Sequence, residues 1–112
     1  MLGMITLYGL KNCDSCRAAR RAFAAAGVEV RFHDLRADGL EEDRLRSWMD
    51  ALGWEVLINR RSTTWRKLAE SERTGIDATS ALRLALAQPS LLKRPIIEKP
   101  DGVSLGFDPR SL

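Results

Sequence analysis

The sequence contains only two cysteines and one histidine, and that scarcity removes several kinds of chemistry at once. A structural zinc site takes about four Cys or His ligands, so no metal site is expected within the chain. A disulfide scaffold of the secreted kind is excluded too, because Cys13 and Cys16 would close a loop too small to stabilise much. No apolar run approaches the roughly 20 residues that cross a bilayer. Residues 1–10 lack the basic start and small-residue cleavage pattern of a secretory signal. No membrane association is expected, and the cytoplasm is the expected compartment. Nor is there a block of one charge: 14 of the 18 basic residues are arginine, but 15 acidic residues are interspersed with them. Such mixing does not make the basic stripe that follows a nucleic-acid backbone, so direct nucleic-acid binding is not expected. The arginine excess favours geometric recognition of a carboxylate or phosphate instead. Repeats, low-complexity tracts and interdomain linkers are absent, and residues 1–112 are expected to form a single domain and a monomer.

Against these absences the patterned segments stand out. Met4-Ile5-Thr6-Leu7-Tyr8, stopped by Gly9, reads as a buried strand. From Cys16 to Ala26 the residues Ala19, Ala22, Phe23 and Ala26 recur at helical spacing, and Gly27 is placed to end the helix. Val28, Val30 and Phe32 then alternate with Glu29, Arg31 and His33, the period of a strand buried on one face, which puts His33 on the solvent side. The connection between the two strands is long enough for a crossover, so they are predicted to be parallel. Asp38 to Glu41 has capping-box spacing ahead of a helix striped by Leu45, Trp48, Met49 and Leu52. Thr63 to Leu68 predicts one or two capped turns, and Asp77 opens a helix striped by Ala78, Ala81, Leu82 and Ala85 and stopped by Pro89. Trp48, Trp54 and Trp65 read as core residues or their edges. Pro95 to Glu98 and Val103 to Phe107 flank the turn Pro100-Asp101-Gly102 and predict a terminal hairpin. Together these segments predict an α/β fold with a mixed sheet and a helical insertion at about 40–92.

The chemistry concentrates in Cys13-Asp14-Ser15-Cys16, which falls where a strand hands over to a helix inside a βαβ unit. In that context a C-x-x-C reads as a thioredoxin-like redox motif. The nucleophilic form of cysteine is the thiolate, and a free thiol of pKa ~8.5 is only about 3% ionised at pH 7. The first turn of a helix offers unpaired N–H groups and the positive end of the helix dipole, which favour negative charge at Cys13 and predict a pKa of ~7. Cys16, one turn further on, is placed to attack a mixed disulfide formed at Cys13. Cys13 is therefore predicted to be the nucleophile and Cys16 the resolving thiol.

Four segments in this order, Leu7-Tyr8-Gly9-Leu10-Lys11-Asn12-Cys13-Asp14-Ser15-Cys16-Arg17, Phe32-His33-Asp34, Thr63-Thr64-Trp65-Arg66-Lys67-Leu68 and Lys93-Arg94-Pro95-Ile96-Ile97, resemble the glutaredoxin-coupled arsenate reductase (ArsC) and Spx family, most closely its YffB-like branch. The resemblance implies a thioredoxin-like, glutaredoxin-type sheet with a helical insertion, and a cis bond before Pro95 that presents Arg94 and its backbone to a thiol docked at Cys13. It implies glutathione-dependent thiol reduction, with glutathione as co-substrate rather than a bound cofactor, glutaredoxin as a possible partner, and Arg94 and Pro95 beside the substrate; the position of the C-x-x-C and the arginines near it add Arg17, Arg60 and Arg61 to Arg94 as expected contacts for the glutathione carboxylates. Two other activities follow from the same resemblance: arsenate reduction, and an Spx-like redox-switched regulator that binds the RNA polymerase α subunit. Of the three arginines that hold the oxyanion in arsenate reductases only Arg94 matches, because Asn59 and Phe107 occupy the other two positions. Gly9 stands where those enzymes have a histidine, and Cys16 where they usually have serine. The family's closing helix is expected to be shortened or absent, as the sequence ends at Leu112.

Overall fold

The computed structural model describes residues 4–108. It divides into two compact units, one formed by the chain up to Asp38 together with the segment from Arg94 onward, the other by Gly39–Lys93. The closing helix, expected to be shortened or absent near Leu112, falls outside the described residues.

In the first unit, β1 (Ile5–Gly9) leads into α1 (Asp14–Ala25), which returns to β2 (Val30–Asp34); β3 (Ile96–Lys99) and β4 (Gly102–Leu105) close the unit. The four strands form one sheet in the order β2-β1-β3-β4. β1 and β2 are parallel, with Tyr8 opposite His33 and Gly9 opposite Asp34, as the long crossover predicts. β1 and β3 are antiparallel, and β3 and β4 make the predicted hairpin, with Lys99 opposite Gly102. This is the mixed, thioredoxin-like sheet anticipated from the sequence.

Helix α1 starts two residues earlier than its apolar stripe indicates, because Cys13 rather than a residue after it takes the N-cap position. Its buried face is Cys16, Ala19 and Phe23, the i, i+3, i+7 stripe that sequence spacing requires. That face meets Leu7 and Ile97 of the sheet, and Phe107 lies against Phe23 with ring centroids 4.9 Å apart. Burying a side chain the size of Phe23 contributes roughly 1.5–3 kcal/mol. Gly27 ends the helix in the left-handed region at φ +74, where it lets Val28 N–H reach back to the carbonyl of Phe23 at 2.9 Å. His33 is half-buried rather than fully solvent-facing, because its ring lies on Tyr8 at 4.9 Å.

The second unit contains α2 (Glu42–Leu52), α3 (Trp54–Leu57), α4 (Thr63–Arg66), α5 (Glu70–Thr74) and α6 (Ala78–Ala87), followed by a 3₁₀ turn at Pro89–Leu91. Trp48 and Leu45 of α2 are fully buried, and α6 buries Ala81, Leu82, Leu84 and Ala85. Asp77 caps α6 as predicted, accepting from Ser80 N–H at 2.8 Å. The capping box expected at Asp38–Glu41 does not form: Glu41 is the N-cap of α2 and makes no side-chain cap bond. Asp38 instead turns back, accepting from Asp34 N–H at 2.9 Å, so it closes the turn after β2. The short helices α3 and α5 were not predicted, since neither is long enough to repeat a hydrophobic period. No helix among the described residues is long and apolar enough to cross a membrane.

At Gly9 the sheet and α1 approach closely. A Cβ there would run into Sγ of Cys16 and come within 3.2 Å of its Cβ, so the strand must end in glycine for a cysteine to sit beneath it. Gly9→Ala is expected to lower the unfolding free energy of the reduced protein by about 1–3 kcal/mol. Denaturant unfolding of Gly9→Ala/Cys16→Ala should recover part of that loss, which a purely backbone effect would leave intact.

Candidate active site

After Gly9 the chain turns through Leu10, Lys11 and Asn12, and Cys13 N–H bonds back to the carbonyl of Leu10 at 3.2 Å. This turn is held by a carboxylate beneath it. Asp34 is 5% exposed, and its two oxygens accept three main-chain N–H groups: Lys11 at 2.9 Å, Arg36 at 2.8 Å and Ala37 at 2.8 Å. Burial pushes this carboxyl up, but the three N–H donors and the Lys11 charge outweigh it and hold Asp34 below the usual carboxylate range. One side chain thus ties the turn before Cys13 to the turn after β2.

Cys13 is half-buried and Cys16 buried, and both are free thiols. Cys13 Sγ lies 3.1 Å from the hydroxyl of Ser15, whose oxygen is 3.4 Å from the carbonyl oxygen of Arg94. The bond joining Arg94 to Pro95 is cis, as the family resemblance implies, and Pro95 is fully buried. Partial burial raises the Cys13 thiol, but the Ser15 hydroxyl, the Arg94 side chain and the amide and thiol of Cys16 together pull it down to about 6. That leaves roughly ten thiolates per thiol at pH 7. Cys16 moves the other way, to about 11: burial raises it most, a hydrogen bond with the Leu10 main chain opposes that, the hydrogen bond and negative charge of Cys13 raise it further, and the Arg94 charge lowers it least. The two sulfurs are thereby pushed apart, one toward the thiolate and its neighbour toward the protonated thiol.

The surface around Cys13 is a cleft of about 430 Å³ lined by Leu10, Lys11, Asn12, Cys13, Asp34, Arg36, Ala37 and Arg94. Three of those side chains are cationic, and Asp34 already spends its charge on backbone amides. Of the arginines expected to contact substrate, Arg94 is here. Arg17 is on α1 in an ion pair with Asp14, and it borders a different groove with Arg20, Phe23 and Phe32. Arg60 and Arg61 belong to the helical unit, where the Arg60 guanidinium lies 5.3 Å over the Trp65 ring and Arg61 N–H donates to Asn59 Oδ1 at 3.0 Å.

The sequence profile of the ArsC family matches residues 8–112. The chain belongs to the ArsC family. An uncharacterized Haemophilus influenzae protein is 43% identical over 105 residues, which cover 94% of this chain and 92% of that one. A Streptococcus pyogenes protein described as the global transcriptional regulator Spx is 31% identical over 107 residues, covering 94% and 79%. Among solved structures, one named YFFB superposes with a TM-score of 0.91 at 39% identity over 96% of this chain and 95% of that one. An arsenate reductase (ArsC) related protein from Brucella melitensis superposes with a TM-score of 0.82 at 41% identity over 97% and 91%.

Within this ArsC-family site, sequence reasoning missed Ser15, Lys11, Arg36 and the task of Asp34. The Asp34 signal was present, as an acidic residue ending a buried strand, but its partners are main-chain groups that no side-chain pattern reveals. Two outcomes test the site. The rate of iodoacetamide alkylation at Cys13 should rise with pH through a midpoint near 6, well below the ~8.5 of a free thiol. Asp34→Asn should lose about 2 kcal/mol at pH 7. Because the folded carboxyl titrates below its unfolded value of ~3.9, the unfolded chain takes up the proton first, so wild type loses stability as pH falls through that range and Asp34→Asn shows a flatter loss. Denaturant midpoints measured from pH 7 downward read both effects.

Proposed function

We propose that the protein is a thiol–disulfide oxidoreductase that uses glutathione as co-substrate, with Cys13 as nucleophile and Cys16 as resolving thiol. The observation that carries this reading is a pair of free thiols one helical turn apart at the start of α1, with Cys13 lining a cleft beside Lys11, Arg36 and Arg94 and pulled down to about 6, while burial pushes Cys16 up to about 11.

The chemistry balances as two exchanges. The Cys13 thiolate attacks one sulfur of a substrate disulfide; the substrate S–S bond breaks, a Cys13–substrate disulfide forms, and the other half leaves as a thiolate. Consuming the Cys13 charge removes one of the causes that hold the Cys16 proton, and the departing thiolate or solvent can take it. Cys16 then attacks Cys13 Sγ, the second half of the substrate leaves as a thiolate, and a Cys13–Cys16 disulfide remains. The substrate has gained two electrons and the pair has lost two. Two glutathione molecules return them, becoming glutathione disulfide. Lys11, Arg36 and Arg94 face this chemistry as cationic partners for the carboxylates of glutathione, and Pro95 fixes the main chain beside it.

A second reading is favoured by the 31% identity to Spx over most of the chain: the same pair serving as a redox switch in a regulator that binds the RNA polymerase α subunit. Arsenate reduction is a third, supported by the Brucella melitensis relative, although Asn59 and Phe107 stand where that chemistry uses arginines.

Intact-mass measurement after incubation with glutathione disulfide separates them. Cys16→Ser is expected to trap one glutathione on Cys13, while wild type resolves to an internal disulfide. Absence of any adduct at Cys13 in both proteins overturns the oxidoreductase reading. Redox-dependent capture by the polymerase α subunit favours the regulator, and glutathione-coupled arsenate turnover favours the reductase.

A further inference from the structure

The hydroxyl of Ser15 sits between two acceptors and has one proton to give. Cys13 Sγ is 3.1 Å from the hydroxyl oxygen and the main-chain carbonyl oxygen of Arg94 is 3.4 Å from it. We propose that Ser15 is a positioning residue whose O–H turns between Sγ of Cys13 and the carbonyl of Arg94, so that ionisation of the thiol and hydrogen bonding at the peptide before Pro95 change together. The proposal concerns the ionisation of Cys13 and deepens the thiol–disulfide reading without requiring turnover.

The argument is one of hydrogen-bond inventory. A thiol carries a weak donor and a weak acceptor, a serine hydroxyl one donor and two lone pairs, and a carbonyl only lone pairs. With Cys13 protonated, the arrangement that uses every group is S–H donating to Ser15 Oγ and Ser15 O–H donating to Arg94 O. With Cys13 ionised, the sulfur has no proton and takes the strongest donor available, because hydrogen bonds to an ionised acceptor are roughly twice as strong as neutral ones. The Ser15 proton then points at sulfur, and Arg94 O loses that donor. No covalent bond changes and no proton leaves Ser15; only its torsion does. Ser15 is itself exposed, on the first turn of α1, so the rotation meets no packing barrier.

Other charged groups surround Cys13. Lys11, Asp34 and Arg36 line the same cleft and Asp14 pairs with Arg17 on α1, while the Arg94 side chain and Cys16 join Ser15 in lowering the Cys13 thiol. Ser15 is the neighbour that joins Sγ to the Arg94 carbonyl through hydrogen bonds, whereas the Arg94 side chain reaches that carbonyl through its own covalent chain. A group that merely stabilised the thiolate would shift the titration without transmitting it.

Thiolate absorbance against pH, with the carbonyl ¹³C shift of Arg94 followed in parallel by NMR on the reduced full chain, tests this directly. In wild type the carbonyl shift should titrate with the same midpoint as the thiolate. Ser15→Ala should raise the thiolate midpoint by about one pH unit, a tenfold fall in the thiolate-to-thiol ratio at pH 7, as expected for loss of one charge-assisted hydrogen bond. The same variant should flatten the Arg94 response at the thiolate midpoint, and Ser15→Thr, which keeps the hydroxyl, should restore both. If the Arg94 carbonyl is silent in wild type, or still tracks the thiolate in Ser15→Ala, the coupling is overturned. None of these readouts uses glutathione, so their failure is distinct from failure to form the mixed disulfide.

Discussion

The site hangs on one buried carboxylate. Without Asp34, the main-chain N–H groups of Lys11, Arg36 and Ala37 would lose their acceptor, and unpaired N–H groups turned away from water are expensive. Because those donors come from two different turns, satisfying them also fixes the turns against each other. The loop that delivers Cys13 to the start of α1 therefore has its conformation set from beneath, by a residue that never touches sulfur. Placing that acceptor at the last residue of β2, in register with Gly9, makes the sheet itself the reference frame for the thiol.

Within that frame the sulfurs are differentiated by surroundings rather than by chemistry. Cys16 lies under the sheet, in the space that a glycine-terminated strand leaves open, and shares a wall with Leu7, Ala19, Phe23 and Ile97. Cys13 meets hydroxyl, guanidinium and amide donors. Helix position is joined here by side chains: Cys13 occupies the N-cap without a side-chain capping bond, and Ser15 and Arg94 bond its sulfur.

The features that could be read in advance are those written in periodicity and spacing. The two parallel strands, the helix between them and the terminal hairpin were legible because alternating or helical apolar stripes recur over enough residues to be distinguished. The stop at Gly27 and the cap at Asp77 were legible because each is a local rule with a local cause. The box expected at Asp38 failed for an instructive reason: a short acidic side chain can serve the strand behind it as easily as the helix ahead, and here the turn after β2 won. Arg94 was found through its neighbour Pro95 and the family likeness. Lys11, Arg36 and Ser15 were not found, since their relation to Cys13 depends on loop paths and on a main-chain carbonyl 79 positions away from the serine.

The donors that gather around Cys13 have a bearing on electron affinity. They hold a charge that exists only while the sulfur is reduced; joining it to Cys16 erases the charge and releases every contact that recognised it. A crosslink here would compete against a broken form held by protein hydrogen bonds, as in other disulfides whose reduced state is preferentially stabilised. Under the proposed exchange, the same few hydrogen bonds that favour the thiolate also favour return of electrons to a Cys13–Cys16 bridge, and bias the direction in which the pair relaxes against a pool of ordinary thiols.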